Sequence, residues 1–492
     1  MRPLFSRLFT LGCILSLLSI IDVSAEHLII LHTNDTHSQL DPQPDGKGGI
    51  LRRKVLIDSI RSAEKNVILV DAGDVVQGSL YFSIYKGRVE REMMNALGYE
   101  LAILGNHEFD NGMDTLAREW KQLNAQLIST NYDLESTPLA GMFEPYTIKE
   151  YGNKKIGFIG INLNPDGMIS PATCNGVIYS DAVTSANETA ALLRDSLGAD
   201  YVVALTHIGY NSKSPGNPSD SILAMQSRGI DIIIGGHSHT VLDEDSTATP
   251  IRFTNADGKE ILVAQTGSLG VNLGKIGLDL NTGEAKSYLL PVDCRYDSRI
   301  DSTLNNRLTV YRNGIISQVN EILATTPCDI EKKSPLHCNL IGDIVKKIGE
   351  ELNDSTPLDL AIVNSGGLRN GLLKGPITVG MIMTMLPFDN RLVLLDISGQ
   401  DLIDSFRIML NRGGDAISSG FDYTTINPDK TYRIVTIDYL AKGGDYMQPL
   451  TNATVVKTDI RRFDNAVIEW MRQLNGSELN LPSHESRFDK KL

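Results

Sequence analysis

Short runs of consecutive apolar residues, many of them β-branched, recur from residue 27 to about residue 295, and each run ends abruptly in polar residues. Because apolar residues follow one another instead of alternating with polar ones, the runs predict strands that are buried on both faces of a sheet. Segments with a helix-like pattern lie between several of them, which predicts a layered α/β domain. The runs cover residues 28–31, 67–70, 101–104, 156–161, 201–205 and 230–234, and the helix-like segments cover 89–96, 113–123 and 180–197.

The pattern changes after this domain. Residues 299–324 carry apolar side chains at helical spacing and contain no proline and no glycine other than Gly314. They predict a linker helix that Pro327 ends. A second, smaller domain is predicted to follow, with a helix at 340–352, strands at 358–364, 391–397 and 431–440, and glycine-rich turns. The predicted boundaries are 26–297 for the first domain, 298–325 for the linker helix, 326–485 for the second domain and 486–492 for a tail.

Residues 1–25 have the pattern of a secretory signal peptide. Arg2 and Arg7 precede an apolar run at 8–21, and the compact residues 23–25 precede the expected cleavage point. The run is shorter than the roughly 20 residues that a membrane span needs. We therefore expect an exported protein, periplasmic or secreted, with no membrane span in the mature chain. Export would place four cysteines in an oxidising compartment, where three pairings are open: Cys174, Cys294, Cys328 and Cys338.

The charge of the chain limits its partners. The 492 residues carry a formal net charge of −14. This argues against a protein whose whole surface binds a nucleic acid polymer or an anionic membrane. An anionic small molecule is still compatible with this charge, because bound metal ions invert the local potential.

Polar residues with metal-binding side chains follow the predicted strands of the first domain. Open α/β sheets place their ligands beyond the carboxyl ends of the strands, so these loops are expected to meet at one rim. Five of the nine histidines are in them. In chain order the loops carry Asp35, His37, Asp74, Asn106, His107, Asp110, His207, His237 and His239.

A mixture of imidazole and carboxylate groups suits transition metals such as zinc, manganese or iron. The set contains too many groups to bind one ion, whereas a site with two ions and a shared carboxylate has a use for all of them. Two such ions activate a water and hold the oxygens of a phosphoryl group during an in-line displacement. The sequence therefore predicts two divalent metal ions, zinc, manganese or similar.

The loop sequences together resemble the motifs of the calcineurin-like metallophosphatases. Segments of the second domain resemble their counterparts in one branch of these enzymes, the 5′-nucleotidase family. The resemblance implies an α/β fold with an N-terminal four-layer αββα sandwich, a linker helix and a smaller α+β substrate-binding domain that swings about the helix. The motifs are Asn34-Asp35-Thr36-His37, Gly73-Asp74, Gly105-Asn106-His107-Glu108-Phe109-Asp110, Thr206-His207 and Gly235-Gly236-His237-Ser238-His239.

The resemblance also implies roles for these residues. It assigns Asp35, His37, Asp74 and His239 to a first metal site, and Asp74, Asn106, His207 and His237 to a second, so that Asp74 bridges the two. It makes His107 a catalytic residue that stabilises the reacting phosphate or protonates the leaving oxygen. Asp110 is then the carboxylate that orients His107, which a spacing of three residues at a strand-to-helix turn allows.

The second domain offers groups that could bind a nucleotide. The planar guanidinium of Arg369 suits a phosphate, and two aromatic rings could stack on a base. The resemblance implies that Asn364 and Arg369 contact the nucleotide, Phe388 and Tyr439 stack on the base, and Asp445 binds the ribose hydroxyls.

The second domain departs from the family in two places. Tyr439 stands where the family usually has phenylalanine. Residues 329–340 lack the arginine that family members often carry there, and Lys332 or Lys333 could replace it.

The sequence thus predicts an exported, metal-dependent 5′-nucleotidase that hydrolyses nucleoside 5′-monophosphates to nucleoside and phosphate. A UDP-sugar hydrolase or a 2′,3′-cyclic-nucleotide 2′-phosphodiesterase on the same scaffold is the alternative. A non-catalytic nucleotide-binding protein is a more remote one, because such scaffolds usually lose ligands that this chain retains.

Overall fold

The computed structural model describes residues 27–211, 218–244 and 249–489. The predicted signal peptide lies outside the described residues, as do the last three residues of the predicted tail. Within the described part of the chain, no helix combines the length and the apolar character needed to cross a bilayer. The four cysteines at positions 174, 294, 328 and 338 are free thiols in this structure.

Two six-stranded mixed sheets form the centre of the first domain. The first sheet has the order β14-β13-β1-β2-β3-β4, and the second has the order β11-β12-β10-β9-β7-β6. A small two-stranded sheet pairs β5 with β8. In chain order the strands are β1 (His27–Thr33), β2 (Val67–Asp71), β3 (Leu101–Ala102), β4 (Gln126–Leu127), β5 (Tyr132–Asp133), β6 (Tyr146–Tyr151), β7 (Lys154–Asn162), β8 (Ile178–Tyr179), β9 (Tyr201–His207), β10 (Ile232–Ile234), β11 (Arg252–Thr254), β12 (Glu260–Ala264), β13 (Asn272–Asp279) and β14 (Ala285–Pro291).

The two sheets share one buried apolar core. Gly160 in β7 lies against Ile103 and Ile128, which follow strands of the first sheet, so a side chain at this position would push the sheets apart. Helices α5 and α6 pack on strands of the second sheet, and α1 and α3 connect the parallel strands of the first. The predicted layered α/β architecture is confirmed. The helices are α1 (Ile50–Ala63), α2 (Leu80–Tyr85), α3 (Arg88–Leu97), α4 (Met113–Trp120), α5 (Ala182–Ala191, continued by one π turn at Leu192–Ser196) and α6 (Asp220–Gln226).

The linker helix is shorter than the sequence pattern predicts. Helix α7 covers Ser302–Val319 and is capped by Asp301, whose carboxylate accepts a hydrogen bond from the backbone N–H of Leu304. Residues Ile322–Thr326 form strand β15, which pairs antiparallel with β17 (Gly375–Thr378), so the helix ends well before Pro327. The prediction of a helix over 298–325 is therefore wrong at its end, because two apolar residues at helical spacing also fit a short paired strand.

The second domain has its own apolar core around a five-stranded sheet of order β19-β16-β20-β18-β21. Tyr439 lies in a short helix after β20, not in the strand predicted at 431–440. The Asp438 carboxylate accepts a hydrogen bond from Arg391 N at this point, where the strand gives way to the helix. The strands are β16 (Leu360–Val363), β18 (Leu392–Ser398), β19 (Ala416–Ile417), β20 (Thr431–Ile437) and β21 (Thr454–Thr458), and the helices are α8 (Pro335–Leu352), α9 (Val379–Met385), α10 (Gly399–Asn411), α11 (Asp438–Ala441) and α12 (Phe463–Arg472).

The linker helix is bound to the first domain by polar contacts. The Arg312 guanidinium donates to Asp41, and the Tyr311 hydroxyl donates to Glu92 at 2.9 Å. The second domain contacts both the linker helix and the first domain through α9. Gly380 of α9 lies against Val319 of the linker helix and against Leu80 of α2. The contact with α9 places the metal-facing rim of the first domain opposite the loops of the second.

Candidate active site

Five loops bring the predicted metal-binding side chains to one rim of the sandwich. Three of the loops follow strands of the first sheet and two follow strands of the second, and within each sheet these strands run parallel. The loops after β1, β2 and β3 carry Asp35, His37, Asp74, Asn106 and His107, and those after β9 and β10 carry His207, His237 and His239.

Asp74 lies at the centre of the cluster. Its Oδ2 is 3.1 Å from His207 Nε2 and 4.0 Å from His37 Nε2, so imidazoles from both sheets face one carboxylate oxygen. Its Oδ1 accepts a hydrogen bond from the backbone N–H of His107 at 2.9 Å. Asp74 therefore reaches both halves of the cluster, which is the position a bridging ligand requires.

One half of the cluster surrounds Asp35. His37 Nε2 and His239 Nε2 lie 3.0 Å apart, and His239 Nε2 lies 3.4 Å from Asp35 Oδ1. Asp35 also accepts hydrogen bonds from the backbone N–H of His237. One ligand atom each from Asp35, His37 and His239 lies within 4.8 Å of the other two, which is close enough to hold one cation.

The other half surrounds His207. One ligand atom each from Asp74, His207 and His237 lies within 4.8 Å of the others, and Asn106 Oδ1 is 2.9 Å from His237 Nδ1. His207 is fully buried and its Nδ1 lies 2.7 Å from the carbonyl of Ala72. Donation to that carbonyl fixes the tautomer and leaves Nε2 facing the carboxylates, as metal-binding histidines are usually held.

The protonation states in the cluster suit a divalent cation. Asp35 and Asp74 are 0% and 2% exposed, and burial alone would raise their pKa values, but the surrounding imidazoles lower both. Burial lowers the pKa of His37 to about 3 and that of His237 to about 4, so both rings are neutral with a free lone pair. Ionised carboxylates and neutral imidazoles are the forms that bind metal.

His207 carries the compensating charge in the cluster. Burial opposes its protonation, yet the carboxylates of Asp74 and Asp35 raise its pKa to about 10. Two buried carboxylates thus require positive charge between them, which a bound cation supplies in place of this proton. The donor set fits divalent metal.

The loop backbone is strained where it presents these side chains. Five of them, which are not glycines, have left-handed φ angles between 48° and 75°. Such conformations are costly and persist at functional sites where the surroundings impose them. Gly236 permits the packing, because a Cβ there would lie 2.7 Å from His207 Nδ1. The five residues are Asp35, His37, Asp74, His237 and His239.

Glu108 supports the cluster from beneath, a role that the sequence pattern does not reveal. The carboxylate of this buried residue accepts hydrogen bonds from the backbone N–H groups of Gly105, Asp74 and Val75. Burial, followed by the charge of Asp74, raises the pKa of Glu108 to about 7. Its place inside the motif after β3 is the available signal, but two of the three amides it holds, those of Asp74 and Val75, come from another loop.

His107 and Asp110 form a pair beside the cluster. His107 Nδ1 lies 2.8 Å from Asp110 Oδ2, and the His107 ring faces the His37 ring with centroids 5.3 Å apart. Burial opposes protonation of His107, but the carboxylates of Asp110 and Asp74 raise its pKa. The structure therefore places an oriented, readily protonated imidazole at the edge of the cluster.

A cavity of about 480 Å³ runs between the two domains at this point. All five residues that the sequence predicts to bind substrate line it, and so do both members of the His107–Asp110 pair. Asp35, His37 and His207 do not line it and lie deeper. From the first domain the lining includes Asp74, Asn106, His107, Asp110, His237 and His239, and from the second it includes Asn364, Arg369, Phe388, Tyr439 and Asp445.

Arg369 and Phe388 face His107 across the cavity. The Arg369 guanidinium carbon lies 5.9 Å from the Phe388 ring centroid, and that ring stacks beside His107 at 5.9 Å. Arg369 also donates to Gln77 Oε1 of the first domain at 3.5 Å. Gln77 is fully buried and has a φ of 75°, and no motif in the sequence marks it.

The two candidate replacements for the family arginine lie apart from the cavity lining in the described residues. Burial, followed by the positive charge of Arg369, lowers the pKa of Lys332, so this side chain is near the guanidinium. The Lys333 backbone N–H donates to His337 Nδ1 at 3.1 Å.

Comparisons with known proteins agree with this geometry. The family model described as calcineurin-like phosphoesterase matches residues 28–241, and the 5′-nucleotidase C-terminal domain model matches residues 323–417. Human 5′-nucleotidase is 26% identical over 90% of this chain and 86% of its own length. The trifunctional nucleotide phosphoesterase YfkN of Bacillus subtilis is 26% identical over 87% of this chain, which spans only 32% of that longer protein.

Among solved structures, the 5′-nucleotidase precursor from Thermus thermophilus superimposes with a TM-score of 0.78 at 27% identity, covering 93% of this chain and 98% of that one. Both domains therefore have their counterparts in one protein, in the same order. The chain belongs to the 5′-nucleotidase family and is a hydrolase of phosphoric esters.

Proposed function

We propose that the protein is an exported 5′-nucleotidase that binds two divalent metal ions and hydrolyses nucleoside 5′-monophosphates to nucleoside and phosphate. One observation carries the proposal: the outer part of the carboxylate–imidazole cluster, with Asp74, His237 and His239, lines the same cavity as the aromatic and polar groups of the second domain. When the phosphate of a nucleotide lies at the cluster, the attached nucleoside lies beside Phe388, Tyr439 and Asp445.

The metal ligands in this proposal are Asp35, His37, Asp74 and His239 at one position, and Asp74, Asn106, His207 and His237 at the other. When bound, such ions lower the pKa of an attacking water and neutralise charge on the phosphate. The buried carboxylates and the neutral imidazoles of His37 and His237 provide ligand atoms in the required forms, and a bound cation would take the place of the proton on His207.

The protein's own side chains act on the phosphate and the leaving group. His107, protonated and oriented by Asp110, donates a proton or hydrogen bond to the leaving oxygen. Arg369 lies 5.9 Å from the Phe388 ring at the other side of the cavity and offers its guanidinium to the phosphate oxygens. Preorganised donors of this kind stabilise negative charge that develops in the transition state.

The nucleoside is held by the second domain. Phe388 and Tyr439 provide π-faces for the base, and a stacked base contributes about 1–3 kcal/mol of binding free energy. Asn364 and Asp445 provide amide and carboxylate groups for the sugar. Since stacking tolerates every base, the base preference is expected to be broad.

A substrate panel after metal removal tests this function. The protein is treated with a chelator, dialysed, and assayed for phosphate release with and without added Mn²⁺ or Zn²⁺. We expect release from AMP only with metal, and slower turnover of UDP-glucose and 2′,3′-cyclic AMP. Faster turnover of either would reassign the substrate, and no release from any nucleotide would contradict the enzymatic function.

A further inference from the structure

Tyr439 carries a hydroxyl where a phenylalanine would provide the same ring, and this hydroxyl is engaged on several sides. It donates to Asp445 Oδ1 at 2.9 Å and accepts from the Asp445 backbone N–H at 3.1 Å. The ring itself packs against Gly444, where a Cβ would lie 2.5 Å from Cε2 and Cζ. The hydroxyl is therefore fixed relative to Asp445 by packing as well as by hydrogen bonds.

Asp445 needs such support because of its backbone. Its φ is 54°, in the left-handed region that costs free energy for a residue other than glycine. Its N–H also faces the carbonyl of Gly167 from the first domain at 3.3 Å. The Tyr439 hydroxyl is thus one of two acceptors that hold this amide in its unusual conformation.

The Asp445 carboxylate is held at both oxygens. Oδ1 accepts from Tyr439, and Oδ2 accepts from the Asn364 side-chain amide at 2.7 Å. Each carboxylate oxygen has a second lone pair, so both still accept a hydroxyl from a ligand. Asn364 Oδ1 is buried with no hydrogen-bond partner in the described structure, and Asn364 lines the same cavity. The three side chains form an acceptor-rich corner suited to a vicinal diol.

We propose that the Tyr439 hydroxyl is a positioning group that fixes the Asp445 carboxylate toward the ribose diol, so that preference for ribonucleotides over dideoxyribonucleotides depends on it. The inference rests on the proposed nucleotide substrate and adds a specificity-determining atom to it. A site built to accept hydrogen bonds from hydroxyls rejects analogues that lack them, because its polar groups are left unpaired.

The variant Y439F removes the hydroxyl and keeps the ring. We expect its KM for AMP to rise roughly tenfold while kcat stays within about twofold, the size of effect that loss of one hydrogen bond to a charged group produces. Activity on 2′,3′-dideoxy-AMP should stay unchanged. Because both substrates are assayed on one preparation, a loss of folded protein would lower kcat for both equally and leave both KM values unchanged.

Y446F is the matched control. Its hydroxyl lies in the same segment and at the same domain interface, and within the described residues its hydrogen-bond partner is Met168 Sδ, at 3.8 Å. We expect Y446F to change KM and kcat for neither substrate. If Y439F raises KM for AMP and for dideoxy-AMP by the same factor, or alters neither KM, the positioning role is wrong.

A double-mutant cycle assigns the path of the effect. In a D445A background, Y439F should have no further effect on KM for AMP, because the group it positions is gone. Additive effects of the two substitutions would contradict the proposal and assign the hydroxyl instead to the Gly167 carbonyl, which lies 3.3 Å from it.

Calorimetric binding of adenosine and 2′,3′-dideoxyadenosine separates this inference from the proposed function. If no nucleotide is hydrolysed but Y439F selectively loses adenosine affinity, the inference holds and the function does not. If wild-type protein hydrolyses AMP but Y439F binds both nucleosides as before, the function holds and the inference fails. Absence of adenosine binding in wild-type protein overturns the inference.

Discussion

The two sides of the cavity are built in different ways. On the first domain, the reactive groups follow the ends of parallel strands, most of the candidate metal ligands are buried, and strained loops over one shared core hold them. On the second domain, the groups come from a strand end, two turns and a short helix, all but Asn364 are partly exposed, and side-chain hydrogen bonds join Asn364, Tyr439 and Asp445. The candidate chemistry is thus anchored in the sheets, whereas recognition depends on contacts between loops.

The largest effect is expected from removing the central carboxylate. Asp74→Asn keeps the shape but removes the charge shared by both halves of the cluster, so turnover of AMP should fall by roughly 10⁴-fold or more. Metal analysis of the purified variant should show at least one equivalent lost. Asp389→Asn, an exposed carboxylate at the same cavity, is the control and should retain its metal. Full metal content and activity in Asp74→Asn would contradict the bridging role.

His107→Ala should lower kcat by about 10²- to 10⁴-fold, the range for loss of a general acid. Its metal content should stay intact, because the proposal places His107 beside the ligands and not among them. The exposed histidine variant His484→Ala is the control. Since one ligand atom of His107 lies within 4.8 Å of His37 and Asp74, loss of metal would move it into the ligand set.

Phe388→Ala tests the recognition side. We expect KM for AMP to rise by about 5- to 100-fold, the loss of one stacked base, with no change for a simple aryl phosphate. The Phe388 ring also lies beside His107. An equal effect on both substrates would therefore show that the ring acts on His107 and not on the base.

The smallest effect is expected at the contact between the two sides. Gly167 has a φ of 76°, and a Cβ there would lie 2.7 Å from the Tyr446 ring of the second domain. Gly167→Ala should raise KM for AMP by a few-fold because the added Cβ displaces the Tyr446 ring next to Asp445, and the left-handed position should separately cost about 1 kcal/mol of stability. Metal content should be unchanged. Gly141→Ala, with a similar φ of 69° and open space around it, controls for backbone strain alone.

The sequence predicts which polar side chains share one rim because its signal is local. Each of these side chains follows an apolar run within a few residues, so the pattern that predicts the strand also places Asp35 or His207 at its carboxyl end. Glu108 shows the limit of this reasoning. Its residue type is visible in the motif, but its role depends on backbone amides from the loop of Asp74, which only the tertiary structure brings near.

The errors in the predicted elements have a similar cause. Ile322 and Leu323 fit a helical period, but pairing with Gly375–Thr378 makes them a strand. Tyr439 continues an apolar run that resembles a strand, yet it belongs to α11. Gln77 and Gly167 carry no pattern at all, because their importance comes from contacts with the other domain. Long-range partners override local preference at these positions.

The two separate apolar cores have a thermodynamic consequence. Each domain buries its own apolar interior. The two domains are joined mainly by surface contacts and by the linker helix. A molecule in the shared cavity touches both halves, so its affinity contributes to their association as well as to the stability of each. At saturating ligand, the two domains should therefore unfold in one cooperative transition instead of two. Scanning calorimetry would then show one peak where the free protein shows two.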